Sequence, residues 1–262
     1  MAPWAVRVSW SFMQAQQFSL PIEQSGSTDL PAGLTPEHFG ALVGHPDGLL
    51  KVMPWLCRQA IGSLPAAQGA GVIVQFRGGP MPLAWTAPWV RMLDDQQCQH
   101  RDGPGLRALH TQQVVTCGRA DLRTWWPSLS QTVTDARVRA VHAETLPVNH
   151  QPVGVLTLYS TTHTTVDPVP ERLTAVKALL IAALNGYCAA HPHEDHTIRL
   201  HRALQDRQLL ERAIGILMTR HQVSEDLARE MLTQHSADEH VRPGTAARAV
   251  IRQHLSAAGS SQ

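Results

Sequence analysis

Apolar positions at Leu42, Leu49, Leu50, Met53, Leu56, Ala60 and Leu64 follow Pro36-Glu37-His38-Phe39 at helical spacing and predict helix from Thr35 onward. The period then shortens. Gly71-Val72-Ile73-Val74-Gln75-Phe76, a Gly78-Gly79-Pro80 turn and Met81 to Ala87 predict a β-hairpin, because β-branched and aromatic residues flank glycines that accept positive φ. Further strands are predicted at Val114 to Cys117, Arg139 to Val148 and Val153 to Ser160, the last two separated by Asn149-His150-Gln151-Pro152. From Pro170 to Ala190 the apolar residues Leu173, Val176, Leu180, Ala183, Tyr187 and Ala190 adopt heptad-like spacing. After the break at Pro192 a second ladder runs through Leu200, Ala203, Arg207, Leu210, Ile214, Leu217 and His221. Both are expected to be long helices that can pair with a second chain. Ser224 precedes Glu225 and Asp226 as an N-cap with acids in the first turn, and Leu227, Ala228, Met231 and Leu232 are expected to form one apolar stripe. A last helix is predicted from Pro243-Gly244-Thr245 through Ala246, Ala247, Val250, Ile251 and Leu255. The pattern is therefore a sheet with helices followed by an all-helical unit.

Composition narrows the classes. At 262 residues, with 43% hydrophobic and 16% charged residues, the chain is long enough for two modest domains and too apolar to be disordered. Its formal net charge of +1 gives no global field for nucleic acid or anionic membranes, so any such site must be local. Cys57, Cys98, Cys117 and Cys188 are far apart and form no Cys-x-x-Cys pair, which points away from a disulfide framework or zinc site and fits a reducing cytoplasm. The apolar stretch Ala178 to Leu184 is too short to cross about 30 Å of hydrocarbon, so no membrane span is expected. Residues 1–35 contain Gln24-Ser25-Gly26-Ser27-Thr28 and are expected to form a loose leader.

The run Leu204-Gln205-Asp206-Arg207-Gln208-Leu209-Leu210-Glu211-Arg212-Ala213-Ile214-Gly215-Ile216-Leu217-Met218, followed by Arg220, Ser224, Ala228, Leu232 and Ser236, resembles the ANTAR domain of bacterial antiterminator regulators. The resemblance implies a three-helix module that binds paired stem-loops in nascent RNA, usually as a dimer, and prevents a terminator hairpin. It departs from the usual pattern at Ile214, Arg229, His240 and Pro243. Upstream, Asp102-Gly103-Pro104-Gly105-Leu106-Arg107-Ala108-Leu109, then Val114-Val115, Asp121-Leu122, Trp126-Pro127, Leu146-Pro147 and Gly154 to Ser160 resemble the GAF sensor domain found before ANTAR in actinobacterial regulators. That implies an antiparallel sheet flanked by helices, with a ligand cavity on one sheet face. The fold class expected is α+β: a GAF-like antiparallel sheet with flanking helices, then an all-α three-helix ANTAR-like domain. The expected divisions are a leader over 1–35, a sensor over 36–190, a hinge over 191–196, the RNA-binding domain over 197–256 and a tail over 257–262.

RNA binding needs cations for phosphates and donors or flat groups for unpaired bases. Arg220, Ser236, His240, Arg242 and Arg248 flank the inter-helix turns and are the candidate RNA contacts; Arg207 can instead pair with Glu211 one turn on. From Cys188 onward there is no Phe, Tyr or Trp, so stacking falls to Arg, His221 or His240. Gly215 inside a helix costs about 1 kcal/mol, which predicts close approach by a neighbouring helix or by RNA backbone. Trp85, Trp125 and Trp126 are the candidate walls of a sensor pocket for an unknown small-molecule ligand. His191-Pro192-His193-Glu194-Asp195-His196 has metal-ligand residue types but reads as a solvated hinge, so no metal and no cofactor are expected. No nucleophile elbow, phosphate loop or metalloprotease helix is present, and no catalysis is expected. The expectation is a cytoplasmic homodimeric antitermination regulator that binds stem-loop RNA. Its rival is a small-molecule or redox sensor whose C-terminal helices only dimerise or contact protein partners.

Overall fold

A computed structural model describes residues 36–163, 171–192 and 196–259. The leader over 1–35 and residues 193–195 of the His-rich hinge lie outside the described residues. The described residues begin with α1 (Pro36–Val43) and α2 (Pro46–Ser63), then β1 (Gly69–Phe76) and β2 (Gly79–Trp85). Next come α3 (Pro88–His100), α4 (Pro104–Thr111), β3 (Val115–Gly118), α5 (Arg119–Trp125), a 3-10 turn and α6 (Ser130–Asp135). Strands β4 (Ala140–Val148) and β5 (Gln151–Ser160) complete the sheet. The C-terminal helices are α7 (Glu171–Ala190), α8 (His196–His221), α9 (Glu225–Asp238) and α10 (Pro243–Gly259).

The five strands form an antiparallel sheet in the order β2-β1-β5-β4-β3. All three central strands alternate cleanly between its two faces. One face, with Ala70, Val72, Val74, Leu156 and Leu158, packs on α2 and α7. The other, with Ile73, Val141, Ala143, Val155 and Tyr159, packs under α3 and α4. The β4–β5 hairpin closes in two residues, Asn149 (φ 49°) and His150 (φ 63°), so pairing resumes at Gln151 rather than after Pro152. The expected antiparallel GAF-like sheet with flanking helices is present.

Helix α7 covers the sheet through Leu173, Val176, Leu180, Ala183, Leu184 and Tyr187, all buried. The heptad positions expected to face a second chain are thus used within this one; of that set, only Ala190 remains exposed. The window Leu173–Ala190 is long and apolar enough to cross a membrane by length and composition, with a mean hydropathy of 1.5, which extends the shorter apolar stretch noted in the sequence. Its buried stripe is already spent on α2 and the sheet. Lys177 ties α7 to β4 by donating to Glu144 Oε2. Glu144 also accepts from His142 Nε2 at 2.9 Å, while His142 Nδ1 lies 3.1 Å from Thr116 Oγ1. This network, led by the His142 hydrogen bond and reinforced by Lys177, holds Glu144 down at about 2 against the opposing effect of burial.

Helix α8 belongs to two cores. Leu200 and Leu204 pack with the α2–α7 side of the sheet domain, whereas Ala213, Ile214 and Leu217 form a separate core with Ala228, Leu232, Ala246, Ala247, Val250 and Ile251. The helix is continuous between them.

Candidate functional site

The three-helix unit is built from two matching turns. Helix α8 ends with Gln222 left-handed (φ 53°) and Val223 N–H donating to Met218 O at 3.3 Å; Ser224 then caps α9, its hydroxyl accepting from Leu227 N–H at 3.4 Å. Helix α9 ends the same way. His240 is left-handed (φ 52°), its N–H donates to Ala237 O at 3.1 Å, and Val241 N–H donates to Ser236 O at 3.1 Å. Ser236 Oγ completes the clasp by donating to Val241 O at 2.7 Å.

These turns dispose the candidate RNA contacts unequally. His240, Arg242 and Arg248 are exposed around the α9–α10 turn and the start of α10. Arg220 is exposed at the other end of the unit, beyond a stretch of α8 from Asp206 that spans about 21 Å. Asp206 marks the near end: it lies 3.6 Å from Arg248 Nη2, and a Cβ added at Gly244 would meet its Oδ1 at 3.1 Å. Ser236 is a correction to the expected set. It is buried (8% exposed) with its hydroxyl engaged, so it shapes the turn instead of facing outward. Arg207 pairs with Glu211 at 2.9 Å and also donates from Nη1 to Leu50 O at 2.6 Å. Gly215 is exposed, and a Cβ there would meet nothing within 4 Å. The close approach by a neighbouring helix expected at this glycine is absent among the described residues.

In the sheet domain the three tryptophans do not converge on one cavity. Trp85 ends β2, carries the Arg91 guanidinium 4.6 Å from its ring centroid and lines a groove of about 120 Å³ with Pro54, Arg58, Leu204 and Gln208. Trp125 and Trp126 stand edge to face 5.7 Å apart at the end of α5. Trp126 is buried and donates from Nε1 to Asp102 Oδ1 at 2.9 Å, whereas Trp125 is half exposed. The expected ligand wall is corrected accordingly: Trp85 faces helix α8, and the other pair braces the α3–α4 loop.

The polar chemistry lies elsewhere, between β1, β5, α3 and α4. Asp94, Gln97, Thr157 and Tyr159 are all at most 1% exposed. Tyr159 donates its hydroxyl to Asp94 Oδ1 at 2.5 Å and accepts from Gln97 Nε2 at 2.9 Å. Gln97 Oε1 accepts from Gly105 N–H at 2.8 Å. Asp94 Oδ2 and Thr157 Oγ1 have no hydrogen-bond partner among the described residues. Burial drives the Asp94 carboxyl up to about 7, against the Tyr159 hydrogen bond, with the Asp95 charge adding to the rise. Sequence reasoning passed over this cluster because Asp94, Gln97, Thr157 and Tyr159 are scattered along the chain and match no motif. The available signal was glycine: Gly69 and Gly71 inside a strand, and Gly103 and Gly105 beside it, mark close approach to backbone.

Residues 199–251 match the ANTAR domain family. The matched segment begins within α8, takes in α9 and ends within α10, downstream of the five-stranded sheet domain. Solved structures similar in shape include the GAF domain region of a protein from Geobacter sulfurreducens PCA (12% identity, covering 52% of this chain and 92% of that one, TM-score 0.43). The GAF domain/HD domain protein from Geobacter sulfurreducens is similar at 15% identity, covering 58% and 98%, with a TM-score of 0.41. The type II free methionine-R-sulfoxide reductase from Thermoplasma acidophilum is similar at 13% identity, covering 56% and 95%, with a TM-score of 0.39. At such scores these likenesses carry neither ligand nor reaction to this chain. Comparison with curated proteins finds no match.

Proposed function

We propose that this chain is a signal-responsive transcription antitermination regulator. Its output domain, over 197–256, binds stem-loop RNA in nascent transcripts; its sensor, over 36–190, controls that binding through the 191–196 segment and helix α8. The working form is a cytoplasmic homodimer without catalytic activity. The observation that carries this reading is the ANTAR domain at 199–251, continuous through one helix with the sensor core. His240, Arg242 and Arg248 supply exposed cationic or flat groups around one turn, suited to phosphate contact and to stacking on unpaired bases. A ligand shifts the equilibrium only by binding two arrangements of the dimer unequally.

Filter binding of the full chain to tandem stem-loop RNA at two salt concentrations tests the reading. Retention that weakens with salt and falls at least tenfold in an Arg220→Ala, Arg242→Ala double variant supports it. Indifference of both proteins to RNA overturns it. One observation favours the rival in which these helices serve only protein contacts: several arginines are already paired, Arg229 with Glu225 at 2.7 Å and Arg248 with Asp206 at 3.6 Å. Self-association that survives while RNA retention is absent is the outcome that rival requires.

A further inference from the structure

The interior of the sheet domain holds an acid whose chemistry nothing among the described residues completes. Asp94 Oδ1 is satisfied by Tyr159 and Gln97, but Oδ2 is fully enclosed and unpartnered. A buried acceptor left unmade costs about 1–3 kcal/mol, more when charged, so natural cores seldom retain one without a use. Among the described residues no basic side chain forms an ion pair with it. The charge that most affects the carboxyl from outside the cluster is Asp95, of the same sign.

The second orphan is close by in the fold. Thr157 pairs in register with Gly71 across β5 and β1, so its hydroxyl leaves the sheet on the face where Asp94 sits. A Cβ added at Gly71 would lie 2.0 Å from Asp94 Oδ2, and one added at Gly105 would lie 2.8 Å from Thr157 Oγ1. Two acceptors therefore look onto bare backbone. Side-chain ends fill the space: Trp89 stands over Gly69, and Gln97 stands over Gly103 and Gly105. The α3–α4 loop over them turns on Arg101 (φ 53°) and Gly103 (φ 145°).

We propose that Asp94, Gln97, Thr157 and Tyr159 form the recognition site for a small ligand bearing a protonated amine, whose N–H groups donate to Asp94 Oδ2 and Thr157 Oγ1. A cationic donor both satisfies the orphaned oxygens and neutralises the enclosed carboxylate, which a neutral donor does not. The inference rests on reading residues 36–190 as a sensor. Its path to the output is short. One turn before Asp94 on α3, Arg91 stacks on Trp85 at 4.6 Å, and in its hydrogen-bonded orientation the Gln208 carboxamide of α8 accepts from Arg91 Nη2 at 2.6 Å.

Ethylammonium chloride is the probe, titrated into the full chain at constant ionic strength while tryptophan fluorescence is followed. The expected result is saturation with a Kd on the order of 1 mM, near the ceiling for three heavy atoms. Tetramethylammonium chloride, equally charged but without N–H groups, is expected to give no saturable response. Asp94→Asn weakens binding at least tenfold and Thr157→Val several-fold, while Asp135→Asn on α6 leaves it unchanged. The Thr157 variant retains the test if the Asp94 variant unfolds. A linear response, equal saturation by tetramethylammonium, or Asp94 and Thr157 variants that bind as the parent does overturns the proposal. RNA retention measured on the same proteins separates the two readings. Amine binding without RNA binding leaves this site standing and removes the antitermination role; RNA binding without amine binding does the reverse.

Discussion

Arg207 Nη1 of helix α8 donates to the backbone carbonyl of Leu50 in α2 at 2.6 Å, while its Nε pairs with Glu211 at 2.9 Å. One side chain thus fastens α8 to the sheet domain at the point where the two cores meet. Arg207→Ala is expected to remove about 1 kcal/mol of that docking, since the guanidinium is partly exposed and the carbonyl can recruit water. Hydrogen exchange should quicken in α8 between His196 and Gln208 and stay slow from Leu209 to His221. Uniform protection along the helix contradicts a separate docking segment.

The clasp at the end of α9 makes opposite demands on two neighbours. Ser236→Ala loses the bond to Val241 O and should cost about 1 kcal/mol of helical-domain stability. His240→Gly relieves a left-handed histidine and should gain up to about 1 kcal/mol. If His240 touches RNA, the glycine variant is more stable yet retains RNA less well. Urea denaturation and filter binding on the same proteins check both halves.

Gly215→Ala adds a methyl group into open space in an exposed helix interior. Stability should rise by about 1 kcal/mol, from the helix propensity of alanine over glycine. A melting temperature that falls instead would mean the methyl meets a surface contributed by another molecule.

Asp94 also sets the direction of a pH response. Its carboxyl titrates at an ordinary 3.8 when unfolded and at about 7 in the fold. Between those values the unfolded chain releases a proton that the folded chain keeps, so this group's contribution is complete below about pH 4 and lost as pH rises through 7. Glu144 acts with the opposite sign and out of range. Its contribution is present above 4.5 and lost only as pH falls through about 2. Urea midpoints at pH 5 and pH 8 should therefore converge in Asp94→Asn, with the variant the more stable protein at pH 8.

Legibility from sequence followed the physics of each segment. Strands β1, β4 and β5 were readable because Val72, Val74, Leu156 and Leu158 alternate with residues facing a second covered layer. Helices α3 to α6 were not located, because they are short and α3 buries Asp94 and Gln97 where periodicity looks for apolar side chains. The ANTAR motif was legible as a long spaced pattern, and Arg207 was correctly read as pairing with Glu211. Ser236 was misjudged because nothing local reveals that its hydroxyl closes a turn formed five residues later. Trp85, Trp125 and Trp126 were chosen on bulk, which predicts burial but does not bring side chains to one cavity.

The continuity of α8 through both cores has a mechanical consequence. From Leu200 to Arg220 it is a rod about 30 Å long. A tilt of about 5° at its Leu200 end sweeps the far end through about 2.6 Å. An adjustment too small to disturb the sheet is thus amplified along α8 into an ångström-scale displacement of the three-helix unit.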